Sequence, residues 1–169
     1  EQAERVERSV AATLERLENQ MSHWREESVL SRFNRHASTE PFPVPCELAI
    51  VVAEALRIQR QTGGALDVTA APLIDAWGFG PGQRRQVPTA EELRGLRGHV
   101  GAGRVEVIRD QDGRRALRKS DPRVRLDLSA LGKGYAIDVL AELLRARGFR
   151  NFLIEFGGEV RASGVRSAD

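Results

Sequence analysis

The segment VRLDLSALGKGYAIDVLAELLRARG, Val124–Gly148, crowds an aspartate, a hydroxyl and a lysine among glycines. Asp127 closes a β-like run, Ser129 follows, and Gly132, Lys133 and Gly134 stand at the opening of an amphipathic helix. Small residues let a backbone approach a ligand, the N–H groups of a helix start attract anions, and a lysine adds charge suited to phosphate. Asp127 repels phosphate, so its chemistry is to accept hydrogen bonds from a ligand's N–H or O–H groups. A structural reading stands beside this one, with Asp127 or Ser129 capping the helix and Lys133 solvated.

Three further stretches bear on chemistry. In GGALDVT a glycine pair precedes Ala65, Leu66 and Asp67, so this backbone either faces a planar ligand or belongs to a buried strand with a hydrogen-bonded aspartate. WGFGPG lacks the glycine-lysine spacing of a phosphate loop and reads as a structural turn, with Trp77 in the core. Trp24, in the polar SHWREES, is a stacking platform or a half-covered surface residue. His23, His36 and His99 lack the spacing of a metal site, and no Ser-His-Asp or Cys-His arrangement is present.

The elements that hold these residues follow from periodicity. Val6, Val10, Leu14, Leu17 and Met21 form one stripe, predicting a helix over residues 2–21. SVLSRFNRHAS reads as a turn-rich link, and Pro41, Pro43 and Pro45 keep the next segment extended. A helix over Glu47–Gln61 should stop at Gly63-Gly64, and Thr89 with Glu92 should cap a helix running to about Arg97. Residues 65–82 read as strand or loop followed by a short helical turn. GRVEVIRD and RRALRKS form a hairpin about Asp112-Gly113, and the run through Leu126 and Leu128 reads as another strand. Tyr135, Val139, Leu140, Leu143 and Leu144 mark the inner face of the next helix, which Gly148 ends. NFLIEF is a buried strand broken by Gly157-Gly158. This order lacks strict strand-helix alternation, so the expected class is α+β, in layers, as a single domain over residues 1–169.

The 169 residues suffice for one such domain, and their 41% hydrophobic content is that of a packed globular chain. A net charge of +2 with scattered arginines gives no ground for nucleic-acid binding. One cysteine excludes an internal disulfide framework, and no apolar run approaches the roughly 18 residues of a membrane span.

Taken together, MSHWREESVLSRFN, GGALDVTAAPLIDAWGFGP and LDLSALGKGYAIDVLAELLRARGFRNFLIEFGGEVRASG resemble, in order and spacing, the blocks of the ApbE family, the FAD:protein FMN transferases. The resemblance implies an enzyme that binds FAD with Mg2+, splits its pyrophosphate, passes FMN to a Ser or Thr hydroxyl of an acceptor protein and releases AMP. The acceptor motif it implies is Asp-x-x-Ser/Thr-Gly-Ala/Ser-Ser/Thr. By matched position, Trp24 lines the FAD site, and Ala65, Leu66 and Asp67 match an Ala-Phe-Asp contact, with leucine replacing phenylalanine. Asp127 and Lys133 match FAD-binding positions, Lys133 as the electrostatic stabiliser of the reaction, and the Ala130 carbonyl matches a magnesium ligand. Gly157, Gly158 and Glu159 resemble a glycine-rich strand end beside the site.

The family pattern begins with a Met-Gly-Thr strand and continues past GGEVRASG into a half bearing further magnesium ligands. The expectation is therefore the N-terminal and central part of such a domain, incomplete at both ends. An FAD-binding or carrier module of the same fold is the alternative. Family habit implies a bacterial periplasm or an inner-membrane lipoprotein, associated with the membrane through an N-terminal anchor preceding residue 1.

Overall fold

The computed structural model describes residues 1–82 and 86–165. They fall into two compact units: Asn19–Leu128, and residues 1–18 together with the chain from Ser129 onward. The class is α+β, with helices packed on small antiparallel sheets. Among the described residues no helix is long and apolar enough to cross a membrane.

Helix α1, Gln2–Met21, follows the predicted stripe, with Leu17 and Met21 buried. In the Asn19–Leu128 unit, the stretch read as a link contains a helix, α2 at Val29–Arg35. Ser28 is its N-cap, accepting from the Ser31 N–H at 3.0 Å, and Leu30 and Phe33 one turn apart are fully buried. A short strand β1, Phe42–Pro43, leads to α3, Cys46–Gln61. Helix α3 closes in a Schellman motif: Gly64 N–H donates to Gln59 O at 2.8 Å and Gly63 N–H to Arg60 O at 3.4 Å. Gly63 has φ +61, a conformation that costs a residue with a Cβ about 1–2 kcal/mol.

A 3-10 turn at Val68–Ala70 and helix α4, Ala71–Ala76, follow, so residues 65–67 form a loop. Helix α5, Ala90–Arg97, carries the predicted capping box: Glu92 N–H donates to Thr89 Oγ1 at 3.2 Å, and Thr89 N–H to Glu92 Oε2 at 2.7 Å. Strands β2, Val105–Arg109, and β3, Arg115–Lys119, pair as the expected hairpin, and β3 also pairs β1, giving the antiparallel order β1-β3-β2. Helix α3 packs on β2 and β3.

The predicted strand through Leu126 and Leu128 belongs to neither sheet. Residues 124–128 are nevertheless anchored, because other groups satisfy their backbone. The Asn34 amide accepts from Leu126 N–H and donates to Leu126 O, both at 2.8 Å, and Asp127 N–H donates to Val68 O at 2.8 Å. Val124, Leu126 and Leu128 are buried in alternation, which turns Arg125 and Asp127 to the other side.

Lys119 holds the turn that precedes this segment. It is 1% exposed, since the alternation that buries Leu117 in β3 also points Lys119 inward. Its ammonium donates to Phe33 O at 3.1 Å, Pro122 O at 3.0 Å and Val124 O at 3.3 Å, above the Phe33 ring.

In the other unit, α6 at Ser129–Ala146 packs on the hairpin of β4, Phe152–Phe156, and β5, Glu159–Ser163. Its buried face centres on Ala136, Ile137, Leu140 and Ala141; Tyr135, Val139, Leu143 and Leu144 are half-buried. Strand β4 is not the buried strand read from NFLIEF. A two-stranded ribbon with one face on a helix leaves alternate residues outward, and Leu153 is 71% exposed. Gly157 and Gly158, at φ +61 and +96, form the two-residue turn between the strands.

Candidate functional site

A cleft of about 380 Å³ opens within the Asn19–Leu128 unit, lined by His23 and Trp24 from the bend after α1, by Asn34 of α2, by Asp75 of α4, and by Arg125 and Asp127. Two of the sequence-derived candidates, Trp24 and Asp127, thus share a concavity. Trp24 is 58% exposed, its ring 5.1 Å from that of His23, an open aromatic surface on which a flat ring can stack. Asp127 is 9% exposed, with its carboxylate 3.8 Å from His23 Nδ1. Its neighbour Leu126 is gripped by Asn34, so the carboxylate is held by a backbone that cannot slide.

Ala65, Leu66 and Asp67 do not line this cleft. Thr62 organises their loop, its carbonyl accepting from Ala65 N–H and its hydroxyl from Leu66 N–H, each at 3.3 Å. Ala65 is exposed, and Asp67 caps the 3-10 turn by accepting from Thr69 N–H at 2.8 Å and Thr69 Oγ1–H at 2.5 Å. The hydrogen-bonded aspartate foreseen as the structural reading is therefore present, in a loop instead of a strand. The backbone bond from Asp127 to Val68 joins this loop to the segment carrying Asp127.

Lys133 and Ala130 belong to the other unit, both in the opening turns of α6. Lys133 is not simply solvated: its ammonium donates to Gly157 O at 3.1 Å and lies 2.9 Å from Glu159 Oε2. The Lys133 ammonium beside it holds the Glu159 carboxyl below its usual range. The lysine is thereby aimed along the β4–β5 turn, with its side chain 43% exposed. Ala130 is exposed, and its carbonyl lies in the first turn of the helix. Gly157→Ala is expected to destabilise the protein by about 1–2 kcal/mol through its left-handed conformation. The added Cβ would also stand 3.2 Å from Lys133 Cδ and displace the ammonium. Denaturant unfolding of the variant checks this.

Sequence reasoning passed over Asn34, Arg125 and Lys119. Each had a signal: Asn34 closes a Ser-capped turn of helix, Arg125 shares its parity with Asp127, and Lys119 lies two residues beyond an inward leucine. Trp77, read as core, is 50% exposed. Among the described residues no group of three or more His, Cys, Asp or Glu side chains is placed to hold a metal ion.

The α+β fold seen here is also that of solved flavin transferases. The chain matches the solved structure described as flavin transferase ApbE from Vibrio cholerae with a TM-score of 0.90 and 40% identity, over 96% of this chain and 52% of that one. It is 44% identical over 153 residues to an FAD:protein FMN transferase of Vibrio cholerae serotype O1, covering 90% of this chain and 44% of the relative. To the FAD:protein FMN transferase of Haemophilus influenzae it is 36% identical over 164 residues, covering 96% of this chain and 47% of the relative. The ApbE family model matches residues 2–169, and the chain belongs to the ApbE family. It spans about half the length of the curated relatives it matches.

Proposed function

We propose that this chain is part of an FAD:protein FMN transferase, with FAD as its substrate and a protein hydroxyl as acceptor. The family match along residues 2–169 carries this reading, and the cleft formed by Trp24 and Asp127 supports it. In the reaction, a Ser or Thr oxygen of the acceptor attacks the phosphorus of the FMN half, and its proton passes to solvent. The bond from that phosphorus to the bridging oxygen breaks, and AMP leaves with the bridging oxygen.

Trp24 offers its face to the isoalloxazine or adenine ring, and Asp127 accepts from ring or ribose donors. Ala65, Leu66 and Asp67 lie outside the lining of the cleft, and by matched position alone we assign their loop a backbone contact with FAD. Lys133, already oriented by Gly157 and Glu159, offsets negative charge building on the phosphates. A bound Mg2+ would supply further neutralisation of the diphosphate. The Ala130 carbonyl would help hold that ion, and among the described residues no group of three or more His, Cys, Asp or Glu side chains is placed to share it. The bacterial periplasm, with a lipoprotein anchor, is the location we propose.

The test mixes the protein with FAD, Mg2+ and an acceptor carrying the Asp-x-x-Ser/Thr-Gly-Ala/Ser-Ser/Thr motif, followed by mass spectrometry of the acceptor. A gain equal to FMN supports the transferase; FAD binding without that gain points to the carrier module. Trp24→Ala and Asp127→Asn are each expected to weaken FAD binding about tenfold in a fluorescence titration, the scale of one lost stacking contact or charged hydrogen bond. Unchanged affinity in both variants removes the cleft from the reading.

A further inference from the structure

The cleft is a poor place for an anion except at one point. Glu26, Asp75 and Asp127 contribute three carboxylates against the guanidinium groups of Arg35 and Arg125. Arg35 is spent elsewhere: it donates to Glu26 O at 2.7 Å and stands 3.5 Å from Glu27 Oε1. Arg125 lies two residues from Asp127 on an extended backbone and lines the same cleft.

The Arg125 side chain is 40% exposed, and one of its terminal nitrogens lies 2.5 Å from Asp75 Oδ2. Asp75 is itself seated, because its carboxylate fills the space where a side chain at residue 80 would stand. A Cβ at Gly80 would fall 1.5 Å from Asp75 Oδ1, so only glycine leaves room for this carboxylate. A guanidinium has five N–H donors in a fixed plane, and pairing one edge with a carboxylate orients the rest.

We infer that Arg125, oriented by Asp75, is the anion-contacting residue of this cleft and selects phosphorylated flavin nucleotides over the uncharged flavin. The inference rests on the FAD-binding reading above and adds to it the residue that discriminates by charge. Asp127 and Trp24 recognise neutral parts of the ligand, which riboflavin shares; Arg125 recognises a phosphate, which riboflavin lacks. The surrounding carboxylates sharpen the choice, since a phosphate displaced from Arg125 meets like charge.

The test is a pair of fluorescence titrations, with FAD and with riboflavin, on the wild-type protein, Arg125→Gln and Arg125→Lys, with Trp24→Ala as a control. Thermal melts confirm that each variant is folded. Arg125→Gln should weaken FAD binding at least tenfold and leave riboflavin affinity within about twofold, the loss expected for charge-assisted bonds to a phosphate. Arg125→Lys should restore part of the FAD affinity through its charge alone. Unchanged FAD affinity in Arg125→Gln, while Trp24→Ala still weakens it, overturns the assignment of Arg125 and leaves the site reading standing. An equal fall for FAD and riboflavin also overturns it, since that marks damage to the cleft. Failure of the wild-type protein to bind FAD removes both.

Discussion

Lys119→Met is expected to lower the free energy of unfolding by about 3 kcal/mol, the scale of leaving buried carbonyls without a donor. Methionine nearly matches the length and shape of the lysine stem, so little space is lost. What disappears is the ammonium that Phe33 O, Pro122 O and Val124 O share. The loss should be local as well as global, because the turn it secures leads directly into Arg125 and Asp127. FAD affinity should therefore fall in the folded variant too.

Burial pushes the Lys119 amine down to about 8, with the Arg125 guanidinium acting in the same direction and the Asp121 carboxylate opposing it. Asp121 stays ionised throughout, since its bond with Arg123 holds its carboxyl far below the usual range. Below pH 8 the amine is charged in the folded and the unfolded chain, and the stability gap between wild type and Lys119→Met is flat. Between about 8 and the ordinary lysine value near 10.4 the unfolded chain binds more protons, so wild-type stability rises with pH relative to the variant. Urea unfolding of both proteins at pH 7, 8, 9 and 10 checks the sign. A gap that narrows above pH 8 contradicts it.

Phe33→Ala should be costlier still, about 4 kcal/mol, the usual range for emptying a fully buried aromatic site. Phe33 is 0% exposed, meets the Phe42 ring edge-on at 5.8 Å and carries the Lys119 ammonium 5.0 Å above its face. Truncation removes all of these together. The double variant with Lys119→Met should lose less than the sum of the single losses, because the two side chains touch. Additivity to within about 0.5 kcal/mol in chemical denaturation would show the two sites to be independent.

These residues mark where sequence patterns were legible. Helices α1, α3 and α5 and the β2–β3 hairpin were readable because their apolar period, caps and turn glycines act locally. Helix α2 was missed because seven residues offer too little periodicity, although Ser28 and the Leu30–Phe33 pair declared it. The segment 124–128 has the alternation of a strand without its ladder, since its partners are an amide side chain and a carbonyl far away in sequence. No local pattern encodes such pairing.

The candidate site divides in the same way. Trp24 and Asp127 stood out by residue type, and both line the cleft. Asn34 and Arg125 did not, because their roles depend on long-range contacts with Leu126 and Asp75. An asparagine and an arginine look ordinary in a charged sequence. The lysine at the start of α6 was conspicuous, but its bond to Gly157 could not be foreseen without knowing that Gly157 and Gly158 turn a hairpin.

The grip of Asn34 on Leu126 has an evolutionary corollary. An amide that holds main chain is indifferent to the side chain it passes, so position 126 is free to drift among apolar residues while its alignment stays fixed. A single-residue deletion between Ser120 and Val124 that slipped the frame by one would turn leucines into the cleft and send Arg125 and Asp127 inward. Relatives should accordingly vary in which side chains they carry along this stretch far more readily than in how many residues separate them.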